Sequence, residues 1–245
     1  MKTLLESYFG RYYNSTKVAF ANSRVYTGKF SCRDEKACET CSIKTPIQAK
    51  NCSDGVLICD AGQEDVDVIE FEKFIDNYNR LKSIPSKSRC DLLMTSKNKI
   101  VFCDMTCSNP KYIDTFTQSD GSVHMGKRYE ARKQIENSIK LLMPIPEIGC
   151  AIKNKSDKKA LFAYREKPTE LKDGFDREVT SGIRAMCKEN KDKEQMYSVM
   201  DNGFLFTEVS YPDVYKWLYC YNPIVRGGCR CHQFYGRREW HYGGV

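Results

Sequence analysis

The chain has 245 residues, 41% of them hydrophobic, 12% aromatic and 29% charged, so it has enough apolar material for a globular core and is neither a fibrous nor a disordered sequence. A net charge of +7 permits an anionic partner without demanding one. No apolar run approaches the roughly 18 residues of a membrane-spanning helix. Glu6 interrupts the apolar start before a signal-peptide core can form. The 13 cysteines, an odd number in a long chain, argue against a disulfide framework. These features lead us to expect a soluble, cytoplasmic protein with no membrane association.

Leu4, Leu5, Tyr8, Phe9 and Tyr12 recur at helical spacing, which predicts a short N-terminal helix. Aromatic residues over 1–30 could stack bases, but such a set more often packs a core. Cys38-Glu39-Thr40-Cys41 is a CxxC knuckle. With Cys32 and Cys52 it could hold a structural Zn2+ tetrahedrally. Neither of those two has a close companion, so the competing reading is a set of buried or loop thiols. Residues 56–60 (VLICD) predict a short strand, and residues 66–71 alternate as another. From Glu70 the period changes, and Phe71, Phe74, Ile75, Tyr78 and Leu81 mark a helix face that Pro85 ends.

Residues 89–108, RCDLLMTSKNKIVFCDMTCS, are the centre of the chain. They predict two strands, 90–95 and 99–106, around the polar turn Ser96-Lys97-Asn98-Lys99. Antiparallel pairing brings Asp91, which opens one strand, beside Asp104, which closes the other. Such a pair can share a divalent cation. Thr106, two residues past Asp104, points to the same face. Acids at strand ends also occur for structural reasons alone, because Asp breaks strands and favours turns.

A polar loop over 109–126 leads to a predicted helix over 127–143. Its buried stripe is Ala131, Ile135, Ser138, Ile139 and Leu142, and Lys127, Ala131, Gln134 and Ser138 lie along one edge. Pro144 and Pro146 stop it. A charged turn over 153–159, a strand over 160–165, a helix over 178–188 and a strand over 204–211 follow. This mixture predicts an α/β or α+β domain with a mixed sheet. From Tyr219 the tail interleaves Arg226, Arg230, Arg237 and Arg238 with Phe234, Tyr235, Trp240 and Tyr242, a composition suited to single-stranded nucleic acid. Cys229, Cys231, His232 and His241 could ligate a metal there, and the plainer reading is a tail that packs its aromatics on the domain. A cysteine nucleophile among Cys103, Cys107 and His124 has no signature around it.

An acid at a helix start, a strand with Asp, a strand with an acid and a helix with Gln, in that order, resemble the PD-(D/E)xK nuclease superfamily. The stretch SRCDLLMTSKNKIVFCDMTCS looks like bacterial members in which a restriction-like core carries variable ends. The resemblance covers roughly residues 64–165, and the 13 positions from Asp91 to Asp104 fall within the family's spacing. It implies a restriction-endonuclease-like mixed β-sheet core flanked by helices over 64–215. The flanks, which the resemblance does not explain, are expected to be a Cys-rich N-terminal elaboration over 1–63 and a basic, aromatic C-terminal tail over 216–245. The resemblance further implies Mg2+ (or Mn2+) held by Asp91, Asp104, the Met105 carbonyl and Glu70 or Glu72, with Glu70 preferred. Gln134 matches a helix Gln that contacts substrate. Thr106 stands where the family carries its catalytic Lys, and Lys127, ahead of Lys133, is the candidate replacement. The implied activity is cleavage of DNA, with RNA less favoured, in defence or mobile-element biology. The competing expectation, supported by the missing Lys, is a non-catalytic nuclease-fold module that binds nucleic acid or a protein partner. A zinc-stabilised interaction protein centred on Cys32–Cys52 is the third.

Overall fold

The apolar run Ile100-Val101-Phe102-Cys103 lies in strand β7 (Lys99–Ser108), at the centre of a seven-stranded sheet. We describe it from a computed structural model, in which residues 1–33, 47–48, 55–78, 81, 83–84, 88–117, 120–166 and 198–217 are described. The sheet runs β1 (Ser23–Tyr26), β5 (Val66–Glu70), β6 (Leu92–Thr95), β7, β10 (Asp157–Glu166), β12 (Phe204–Ser210) and β11 (Ser198–Met200). β1, β5, β6 and β7 pair antiparallel in turn, β7, β10 and β12 are parallel, and β11 pairs antiparallel with β12 as the last strand among the described residues. The chain is thus a mixed α/β protein with a mixed sheet.

Alternation along β7 feeds two cores. Ile100 and Phe102 join Leu93, Phe162 and Phe204 under the helices, while Val101, Cys103 and Met105 face the other way. The helical side carries α3 (Phe71–Asp76), α4 (Lys127–Leu142) and α5 (Pro146–Lys153). It also carries the N-terminal segment, where α1 (Lys2–Leu4), a π-turn (Leu5–Phe9) and α2 (Gly10–Tyr12) run on as one helix. The expected α4 stripe of Ala131, Ile135, Ser138, Ile139 and Leu142 is buried throughout. On the opposite face lies a four-stranded sheet of β13 (Val214–Lys216), β4 (Leu57–Asp60), β2 (Lys29–Cys32) and β3 (Ile47–Gln48).

The boundary expected near residue 63 falls between β4 and β5, which belong to different sheets. β1 and the N-terminal helix lie on its far side yet share the core of the seven-stranded sheet. Pro146 does not merely stop α4. It occupies the first turn of α5, where its missing N–H has no partner to lose. Glu70 is the last residue of β5 and stands just before α3 without a side-chain cap, so the acid comes from a strand end and not from within a helix. The predicted helix over 178–188 lies outside the described residues. So do Cys38, Cys41 and Cys52, and the tail with Arg226, Arg230, Arg237, Arg238 and Trp240. Cys32 is buried in β2, its thiol pushed up chiefly by burial. No helix among the described residues is long and apolar enough to cross a membrane.

Candidate functional site

The expected hairpin forms, with β6 and β7 joined through the turn at Ser96-Lys97-Asn98. Its register pairs Leu92 with Cys103, which sets Asp91 one step beyond the ladder and level with Asp104. There the Asp91 side chain replaces the missing strand backbone. Its Oδ2 accepts the Met105 N–H at 2.6 Å, so the carboxylate lies against the peptide that joins Asp104 to Met105. A strand residue presents its N–H and C=O to the same neighbour, so the Met105 carbonyl also faces the Asp91 side. Asp91 is half-buried and Asp104 is buried.

Helix α4 supplies the next contact. With its amide turned so that nitrogen meets acceptors, Gln134 donates to Asp104 Oδ1 at 2.6 Å and to the Arg89 carbonyl at 3.1 Å. One turn on, Ser138 Oγ accepts the Cys90 N–H at 2.9 Å and donates to the Gln134 carbonyl at 2.8 Å. The Asp91 carbonyl accepts the Phe71 and Glu72 N–H groups at the start of α3, at 2.9 and 3.2 Å. The approach to Asp91 is therefore fixed from both helices. Arg89, buried, reaches Asp76 Oδ1 at 2.5 Å.

The fold brings Asp91, Asp104, Met105 and Gln134 together. It does not add Glu70. Val66 and Val68 face the second core and Ile69 the helical one, so alternation turns Glu70 away from the α4 side. Glu70 is buried, its Oε2 meets Lys73 at 3.1 Å, and its Oε1 has no hydrogen-bond partner among the described residues. Glu72 is exposed at the start of α3. Lys127 pairs with Glu130 at 2.7 Å on the surface of α4. It stands about 10 Å up the helix from Gln134 at 1.5 Å per residue. Lys133 is exposed, and Thr106 is half-buried. Among the described residues no three His, Cys, Asp or Glu side chains group as a metal cage. A cation between the two aspartates would have to draw on the Met105 carbonyl.

Burial above all pushes the Cys90 and Cys103 thiols well above the ordinary value; the charges of Asp91 and Asp104 add to it at both, after Cys32 at Cys103 and against the Ser138 hydrogen bond at Cys90. Sequence reasoning missed the parts played by the Arg89 carbonyl and the Ser138 hydroxyl. A backbone acceptor leaves no mark in residue type. Ser138, four residues past Gln134 in an apolar stripe, was the visible signal. No family model matches the chain, and no curated protein or solved structure matches it either.

Proposed function

We propose that the chain is a metal-dependent nuclease with a restriction-endonuclease-like core, cutting phosphodiester bonds in DNA, with RNA the lesser substrate. The observation that carries this reading is the Asp91 carboxylate lying against the Asp104–Met105 peptide. The fold supports it through order. An antiparallel β5–β6–β7 meander, helix α4, and β10 parallel to β7 hold the two acids and Gln134 in the sequence that the resemblance requires. The donor set fits as well. Two carboxylates and a carbonyl are hard oxygen ligands of the kind Mg2+ and Mn2+ take, and Asp91, Asp104 and the Met105 C=O would hold the ion. When bound, such an ion lowers the pKa of water and offsets charge on the phosphate.

The chain's own residues contribute positioning. The Met105 N–H fixes Asp91, Gln134 fixes Asp104, and Ser138 pins the turn into β6. Lys127 is held by a surface ion pair, an interaction worth about 1 kcal/mol or less, so turning it toward a phosphate costs little.

Thr106, in the place of the family's Lys, favours a second reading: a nuclease-fold module that binds nucleic acid or a protein partner without cutting it. Cleavage assays on single- and double-stranded DNA and RNA with Mg2+ or Mn2+ separate the two. The nuclease reading expects cutting by the wild type that Asp91→Ala and Asp104→Ala abolish. An inert wild type whose Thr106→Lys variant cuts supports the second reading.

A further inference from the structure

Between β7 and α4 the chain makes an excursion that the proposed chemistry does not use. Ile113 is buried in the helical core and its carbonyl accepts the Arg128 N–H at 3.0 Å. Gly126 packs so closely on Asp114 that a Cβ there would collide with the Asp114 backbone. Arg128 ties the base down through Asp114 and, at 2.6 Å, through Glu208 on β12. From this fixed base rises a small hairpin of β8 (Phe116–Thr117) and β9 (Val123–His124), with Phe116 opposite His124.

The hairpin exposes what a core would bury. Phe116 and His124 stack with ring centroids 5.0 Å apart and planes 23° apart, and Tyr112 lies 5.3 Å from Phe116 with its ring tilted by 60°. Lys111 Nζ sits 4.7 Å over the Tyr112 ring. Val123 is 64% exposed, Tyr129 46% and Tyr112 38%. Of the acids nearby, Asp114 is paired with Arg128 and Glu130 with Lys127, while Asp120 bonds Ser122 within the hairpin. Two exposed rings, Tyr112 and His124, flank the half-buried Phe116, and with a cation over the first they suit unstacked bases and a phosphate chain better than an apolar protein surface. The hairpin follows the strand that carries Asp104. From Asp104 to the end of β7 is about 13 Å at about 3.3 Å per residue, the length of roughly four stacked nucleotides at about 3.4 Å each.

We propose that Tyr112, Phe116 and His124, with Lys111, form a stacking platform for single-stranded nucleic acid that leads to the acid pair. Its direction rests on the nuclease reading, and the platform itself is tested apart from cleavage. The probe is a short fluorescent oligothymidylate strand, titrated in EDTA with the full chain and followed by anisotropy. Tyr112→Leu and His124→Ala should each weaken binding about tenfold. Tyr112→Phe, which keeps the ring, should bind like the wild type, and a duplex probe should bind more weakly and respond little to the substitutions. A folded Tyr112→Leu variant, shown by circular dichroism, that binds like the wild type overturns the platform, as does a wild type that binds no single strand and leaves the face to a protein partner. If His124→Ala fails to fold, Tyr112→Leu against Tyr112→Phe still decides. Ring-dependent binding without any cleavage sinks the nuclease reading and keeps the platform. Cleavage with ring-independent binding does the reverse.

Discussion

Asp91 closes the β6–β7 ladder with a side chain where the backbone has turned away, and the same carboxylate is one half of the proposed cation site. Structure and chemistry thus meet in one residue, and Gln134 makes the same double use of Asp104. Replacing Gln134 with Leu keeps the volume and leaves the Arg89 carbonyl without that donor. The expected loss is about 1 kcal/mol, or roughly 2–4 °C in Tm for a chain of this size, measured by thermal unfolding. Cleavage should fall as well, because Asp104 loses its fixed orientation. Both acids were legible in the sequence, since an apolar run that ends in Asp, 13 positions after another Asp, is a pattern of residue types. The position of Glu70 was not legible at this scale. The change of period at residue 70 hid the fact that the acid closes a strand whose alternation turns it away from α4.

At the scale of elements, the hairpin and α4 were readable because each has its own period. The sheet order was not, because β1, β10 and β12 find their neighbours through packing between segments distant in sequence. α5 was missed because a Pro after a helix reads equally as a stop or as the first residue of the next helix. The docking of the N-terminal helix on α4 gives a pH test. Tyr13 Oη donates to the Leu141 carbonyl at 2.8 Å. Burial, and to a lesser degree Tyr12, pushes Tyr13 from 10.0 up to about 12. Because the folded value lies above the unfolded one, this stabilisation is complete below pH 10.0 and is lost as pH rises toward about 12. Tyr13→Phe should cost about 1 kcal/mol at neutral pH, and it should lose less stability than the wild type across that alkaline window, as read by urea unfolding at each pH. An equal alkaline loss in both proteins would show that Tyr13 does not carry it.

At the scale of the whole molecule, one buried lysine ties the two sheets together. Lys99 opens β7 and donates to the Trp217 carbonyl at 2.7 Å, meets Asp157 at 3.3 Å, and lies 5.0 Å from the ring centres of both Tyr215 and Trp217. Trp217 in turn donates its indole N–H to Glu64 at 2.9 Å and Ser96 at 3.1 Å. The hairpin turn is thereby held to the segment that leaves β13, far from the acids. In the sequence Lys99 reads as an ordinary turn residue, because nothing local marks a partner 118 positions away. Lys99→Met keeps the stem between the rings but leaves the Trp217 carbonyl without its donor. The expected loss is about 1–3 kcal/mol, with metal binding at the acids unchanged, and a variant as stable as the wild type would show that the anchor contributes little.

Whether Asp91 and Asp104 share one divalent cation is tested most directly by Mn2+ titration of the full chain followed by calorimetry. A shared ion gives a single site in the wild type that disappears in Asp91→Ala and in Asp104→Ala, with circular dichroism unchanged. Mn2+ bound equally by all three proteins, or by none of them while each is folded, would contradict it.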